Sequence, residues 1–247
     1  MSDVRDEAIE ELREELRESE DRDRLMIKAV SQLDQLNNNI NQQMERFRDW
    51  YSLHFPELEE EIGDDEQFVK VLSRGVKRED LDSFGSLAEG STGSEIAGPD
   101  VEILESQVEL LEKMFEQRDE LEGYVEKVAK EEMSNLSTLL GPLLAARIVG
   151  LAGGLEEIAK KPASTVQMLG AEKALFRYLR GEGTPPKHGI LFQHSFVNSL
   201  DSDRRGKMAR FLANKAVMAA RLDQYGDKEK GEELREEARQ KYESLKD

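Results

Sequence analysis

The chain has 247 residues, with 35 Lys and Arg against 53 Asp and Glu, giving a formal charge of −18. Cysteine is absent, which excludes disulfides, thiolate metal sites and a cysteine nucleophile. Apolar residues make up 38% and charged residues 36%, with only six prolines; this balance predicts long solvated helices and an all-α fold.

The opening "MSDVRDEAIEELREELRESEDRDR" is too charged to supply the apolar core of a secretory signal. Residues 1–23 read as a charged N-terminal segment, a marginal helix with only Ile9, Leu12 and Leu16 in register. A coiled-coil domain follows over 24–137. Met26, Leu33, Ile40 and Phe47 form one seven-residue series, and Val30, Met44, Tyr51 and Leu58 form the other, interrupted by Asn37. Such a polar residue is a candidate pin of register. "HFPELEEEIG" ends the seam through Pro56 and Gly63.

Residues 64–99 form an insertion. "DDEQFVKVLSRG" and "KREDLDSFGSLAEG" predict two short helices, and "STGSEIAGPD" a small-residue loop. Asp100 is the expected cap of a second long helix, whose seam is Val101, Leu104, Val108, Leu111 and Phe115, then Leu121, Val125 and Val128. Two such helices around an insertion predict an antiparallel helical hairpin, with outer faces free to pair with a second copy or a partner. "LSTLLGPLLAARIVGLAGGL" at 136–155 approaches membrane-spanning length but carries Arg147 and no aromatic anchors. It reads as a buried helix pair broken at Gly141-Pro142, with no membrane role, its glycines permitting tight packing.

A compact helical module is expected over 138–225, then a charged C-terminal helix over 226–247. Charge is distributed unevenly: residues 141–225 hold 13 Lys and Arg against 7 Asp and Glu. This stretch is basic inside an acidic chain, so it could attract an anion that the remainder repels. In "GAEKALFRYLR" at 170–180, helical spacing puts Lys173, Arg177 and Arg180 within about 60° of one another, opposite Ala174, Leu175, Tyr178 and Leu179. Ser164 and Gln167 resemble a capping box ahead of it, and Gly170 and Ala171 permit close backbone approach. Taken alone, this is an amphipathic helix with a solvated basic face.

A second helix, from about Asp203 to Leu222, aligns Lys207, Arg210, Asn214 and Arg221 on one side and sets Arg204 and Arg205 in its first turn, where basic residues oppose the helix dipole. Between the two lies "TPPKHGILFQHS", with Lys187, His188, Gln193 and His194; "GILFQH" reads as a short extended segment. Cations with polar and flat side chains suit phosphates and exposed bases. The three histidines lie at no metal-ligand spacing, and no nucleophile elbow or phosphate-binding loop occurs. No enzyme, cofactor or metal is expected, and His54 reads as a packing or capping residue.

The string "GGLEEIAKKPASTVQMLGAEKALFRYLR…TPPKHGILFQHSFV…RRGKMARFLANKAVMAARLD" resembles the Nop domain of box C/D ribonucleoprotein scaffolds and their spliceosomal relative. Upstream, "LMIKAVSQLDQLNNNINQQMERFRDWYSLHFPEL" is similar to the coiled-coil domain of that family, so the likeness spans about residues 25–225. It implies binding of a kink-turn (box C/D) guide RNA already occupied by a small kink-turn-binding protein, with self-association through the coiled coil. It also implies support of guide-directed 2′-O-methylation by fibrillarin, the methyltransferase. Gly170, Ala171, Glu172 and Lys173 would lie at the composite surface with the helix they open. Arg177, Arg180, Lys187, His188, Gln193, His194, Arg204, Arg205, Lys207 and Arg210 match its basic part. Members usually begin with a further domain that binds fibrillarin. Here Met1 opens only a short charged segment, which puts fibrillarin recruitment by this chain alone in question. The short tail looks archaeal and implies a cytoplasmic location; a eukaryotic member would be nucleolar. The rival readings are a spliceosomal-type relative and a purely protein-interaction coiled coil.

Overall fold

The computed structural model describes residues 2–226 and 230–246, together with the side chains of Arg22 and of the described residues from 24 onward. The described residues contain helices and no strand. In chain order these are α1 (Ser2–Tyr51), α2 (Pro56–Glu61), α3 (Asp65–Leu72), α4 (Gly85–Glu89), α5 (Gly98–Glu132), α6 (Ser134–Leu140) and α7 (Pro142–Ala152). They continue as α8 (Leu155–Lys160), α9 (Ala163–Met168), α10 (Glu172–Leu179), α11 (Ser195–Asn198), α12 (Ser202–Tyr225) and α13 (Gly231–Lys246). The charged opening segment belongs to α1; the packing of Ile9, Leu12 and Leu16 lies outside the described side chains. Contacts divide the chain into one unit of residues 32–121 and another of 1–31 with 122–247. The unit boundaries fall within the two long helices α1 and α5 and not at a change of composition.

In the 32–121 unit, Ile40, Met44, Phe47 and Tyr51 of α1 are buried with Leu104, Val108, Leu111 and Phe115 of α5. Asn37 is only half-buried, and the neighbouring Leu36 supplies the apolar contact in its place. The seam stops at Tyr51: Leu58 is buried, but from α2, which Pro56 starts. The Ser94 N–H donates to the Leu53 carbonyl at 2.8 Å, so α5 begins beside the end of α1 and returns along it. Arg48 fastens α3 by donating to Asp65 at 2.7 Å and to the Ile62 carbonyl at 3.0 Å, with its guanidinium 4.2 Å from the centre of the Phe68 ring. The Glu57 carboxylate accepts from Ser91 Oγ at 2.7 Å and from the Thr92 N–H at 2.8 Å; these bonds hold its pKa down at about 2 and pin the insertion loop. Asp100 does not cap α5 from outside. It sits in the first turn and accepts from the Ala97 N–H at 2.9 Å, the reciprocal half of a capping box.

In the other unit, α12 is the central helix, packed by α6, α8, α9, α11 and α13. Its inner face is built of small residues (Ala209, Ala213, Ala216, Ala219 and Ala220, all fully buried), which lets several helix axes approach at once. Near its end, buried Asp223 accepts from the N–H groups of Asn135 and Leu136 and from Asn135 Nδ2, all at 2.8–2.9 Å. A side chain 88 residues distant thus satisfies donors that α6 would otherwise leave bare. Asn135 Oδ1 in turn accepts from the Lys230 N–H at 3.0 Å, tying in the start of α13. At Gly231 a side chain would meet Thr138 Cβ at 2.8 Å, so α13 seats against α6 only through glycine.

Helices α6 and α7 meet at a 115° bend at Gly141. Gly141 has φ +83°, and most of the apolar run is buried. Among the described residues no single helix is long and apolar enough to cross a membrane. Gly153 and Gly154, with φ +95° and +143°, form the turn into α8 and have open space around them, so they serve conformation and not tight packing. Replacing Asp223 by Ala removes the buried acceptor shared by the Asn135 and Leu136 N–H groups and Asn135 Nδ2, and is expected to cost about 3 kcal/mol of unfolding free energy in urea titrations.

Candidate nucleic-acid and protein interface

Three segments of the second unit converge around Gln167. Its buried side-chain amide donates to the Lys187 carbonyl at 2.7 Å and to the Gly206 carbonyl at 3.4 Å, holding the 180–188 loop against the start of α12. Gln167 is therefore no capping-box partner of Ser164; α9 begins after Pro162 without a side-chain cap. The Ile190 N–H donates to the Leu169 carbonyl at 2.7 Å, which brings the far side of the loop to the start of α10. Two glycines make this possible. Gly170 has φ +79° and lies where a side chain would sit 3.1 Å from Ile190 Cβ, and Gly189 has φ +48° and space blocked by the Leu169 carbonyl at 2.3 Å. Residues 189–193 form a 3₁₀ turn and not an extended segment, because the chain must double back at Gly189 to reach α11.

Helix α10 departs from the amphipathic expectation in one respect: no residue in it is buried. Ala174 and Leu175 are half-buried, but Tyr178 (41% exposed) and Leu179 (68%) on the same arc stay in solvent, as does Phe176 (62%), which flanks the cations. Arg180 lies just past the last turn as its C-cap residue. The Glu172 carboxylate turns back to accept from the Gly170 N–H at 2.8 Å, fixing the entry of the chain.

The cations that the sequence grouped together divide into two sets. Lys173, Arg177, Arg180, Lys187, Lys207 and Arg210 are exposed and form no ion pair among the described residues. Arg204 and Arg205 are occupied internally. Arg204 donates to the Lys246 carbonyl at 3.0 Å and also to the Leu245 carbonyl, closing the end of α13. Arg205 donates to the Leu200 carbonyl at 2.7 Å and the Asn198 carbonyl at 3.2 Å, at the end of α11. Their place in the first turn of α12, unfavourable for that helix, is explained by the two neighbouring ends that they satisfy. Arg221 donates to the Ala159 carbonyl at 2.8 Å, while Asn214 donates to the Arg210 carbonyl one turn back.

His188 stacks on Phe192, with ring centres 4.8 Å apart, and the Arg205 guanidinium lies 5.2 Å from the Phe192 ring. Partial burial, with help from Arg205 and Lys187, lowers the His188 pKa and so favours the neutral ring. His194 is used inside the fold. Its Nδ1 accepts from the Phe196 N–H at 3.1 Å and caps α11, which leaves Nε2 as the donor to the Leu139 carbonyl at 3.3 Å. Gln193 accepts from Arg147 at 3.2 Å. Phe176 was not among the residues that sequence singled out, since a lone exposed Phe carries no pattern of its own; Gln167 was, but as a cap and not as the clamp that long-range contacts make it.

These features define an all-helical module that presents an unpaired basic and apolar surface, held in shape by a polar clamp and two obligatory glycines. The family model described as "snoRNA binding domain, fibrillarin" matches residues 32–244, and the chain belongs to this Nop family. It is 39% identical over 223 residues to an uncharacterised NOP5 family protein of Methanocaldococcus jannaschii, covering 85% of this chain and 54% of that one. It is 35% identical to nucleolar protein 56 of Schizosaccharomyces pombe, covering 83% and 45%, and 34% identical to human nucleolar protein 56, covering 89% and 40%. The chain thus spans about half the length of the curated relatives it matches. Among solved structures, a chain of a crystal structure of a fibrillarin/Nop5p complex superposes with TM-score 0.60 at 27% identity, covering 95% of this chain and 72% of that one.

Two measurements check the division of the cations. Arg204→Ala and Arg205→Ala should each lower stability in urea by about 1–2 kcal/mol, whereas Lys207→Ala and Arg210→Ala should stay within about 0.5 kcal/mol of the parent. Burial lowers the pKa of His194 below its ordinary 6.5. The unfolded chain therefore binds more protons, and the stability contributed by neutral His194 is complete above that value and lost as pH falls through the folded pKa. The urea midpoint should drop between pH 7 and pH 5, and it should drop less in His194→Asn, which keeps a cap for α11.

Proposed function

We propose that this chain is a non-catalytic scaffold of a box C/D-type ribonucleoprotein, engaging a kink-turn RNA and the small protein already bound to it through one composite surface. The observation that carries this reading is α10. Its exposed Phe176 lies beside the unpaired Lys173, Arg177 and Arg180, and Leu179 on the other arc is exposed as well. Apolar side chains left in solvent on a short helix suit a protein partner, and unpaired cations suit phosphates. The neutral His188 ring in the adjoining loop suits stacking on an unpaired base. The family to which the chain belongs, and the snoRNA-binding description of its model, support the same reading.

Acidity over the rest of the chain weakens general attraction to RNA, so selectivity comes from needing both components. Support of guide-directed 2′-O-methylation belongs to the assembled particle in this proposal; the fibrillarin/Nop5p structure is the neighbour that suggests it. On the archaeal reading the site of action is the cytoplasm, and for a eukaryotic member the nucleolus. Self-association through the coiled coil is part of the proposal. Along α5, Ile103 and Leu110 stay more than two-fifths exposed one heptad apart, with Met114 half-buried next to them, a second seam outside the one used within the chain.

Gel-shift titrations of a kink-turn RNA, with and without its small binding protein, test the main claim. Tight binding is expected only with both present, and equal affinity for naked RNA would overturn it. Lys173→Ala with Arg177→Ala should weaken the ternary complex by about tenfold or more and reduce its salt dependence by about one phosphate contact per residue. Unchanged assembly would favour a protein-only coiled-coil scaffold. For self-association, Ile103→Glu with Leu110→Glu should convert a dimer to a monomer in sedimentation equilibrium.

A further inference from the structure

The cations and the ring of the basic surface stand on two segments whose spacing is set from behind. Lys187 and His188 belong to the loop that follows α10, and Lys207 and Arg210 to the start of α12. Among the described residues, no backbone N–H from 183 to 188 donates to another backbone group. A loop without such bonds does not hold its own place. Two contacts with α12 place it instead.

The first runs through Gln167, which is only 8% exposed. Its one amide nitrogen donates to the Lys187 carbonyl at 2.7 Å and to the Gly206 carbonyl at 3.4 Å. A neutral side chain that serves two carbonyls with two protons of one nitrogen must be an amide. At Gly206 the helix is bare, and a Cβ built there would lie 3.4 Å from Lys187 Cβ, so the lysine stem rests directly on α12. The second contact is the stack of His188 on Phe192, with the Arg205 guanidinium 5.2 Å from that ring. Arg205 is itself held by the Leu200 carbonyl.

We propose that Gln167 is a positioning residue for RNA binding, holding Lys187 and His188 at a set distance from Lys207 and Arg210 so that one RNA meets all four at once. This role rests on the reading of the surface as RNA-facing. Gln167 touches no RNA and acts by preorganisation. A loop already fixed has little freedom to lose on binding, whereas a released loop is ordered at the expense of affinity. Helix α10 is entered through the Gly170–Glu172 bond and stays outside this coupling.

Gln167→Met keeps the length of the side chain and removes both donors. In the full chain without RNA, the His188 ring is titrated by NMR. Burial, with the Arg205 and Lys187 charges, lowers its pKa in the parent, so loosening of the loop should bring it up toward the ordinary 6.5. In gel shifts with a kink-turn RNA and its small binding protein, the variant should bind about tenfold more weakly. Lys187→Ala should then cost clearly less in the variant than in the parent, whereas Phe176→Ala on α10 should cost the same in both. A merely structural loss would leave the Lys187→Ala cost equal in both backgrounds. Gly206→Val wedges Lys187 off α12 with Gln167 intact, and should reproduce the His188 shift and the weaker binding if the Met variant does not fold. An unchanged His188 titration, RNA affinity equal to that of the parent, or a full Lys187→Ala cost in the variant would each overturn this role. A parent chain that binds no RNA would overturn the proposed function, and this role with it.

Discussion

The module that carries the basic surface depends on one carboxylate. Asp223 lies nearly at the end of α12, yet it satisfies the first donors of α6 and, through Asn135, the start of α13. Because α6 has no capping side chain of its own, its orientation is set by a residue from the far end of the same unit. That contact closes the unit on itself: α6 and α13 flank α12, and α12 in turn presents Gly206 to the loop and to Gln167. The surface is remote from Asp223 in sequence and is nonetheless positioned by the helix that Asp223 anchors.

The coiled-coil pattern and the break at Gly141-Pro142 were legible in sequence, because a heptad repeat and a Gly-Pro step act locally. Asn37 shows where such reading stops. The seven-residue series predicted a gap, and the packing filled it from Leu36, one position away, which periodicity alone does not reveal. Asp100 shows the same limit at helix ends: residue type predicted a capping role, but which side of the boundary it occupies depends on where the backbone first turns.

The surface was less legible, for a physical reason. A helical wheel reports that two kinds of side chain lie on opposite arcs, and it cannot report whether a core exists to receive the apolar one. In α10 only Ala174 and Leu175 are partly covered, and Phe176, Tyr178 and Leu179 stay in solvent. Basic residues look alike in sequence whether they meet an outside anion or the bare carbonyls of a neighbouring helix. Only the positions of the ends of α11 and α13 separate the two cases.

On α12 the division between the two kinds of side chain is nearly complete. One face is built largely of fully buried alanine, and the other carries exposed Lys207, Arg210 and Asn214. Sequence drift along this helix is therefore expected to be strongly uneven. Its inner positions are frozen by volume, while its outer positions can be rewritten one by one without touching stability. A randomised library confined to that outer stripe would sample new surfaces on an unaltered fold.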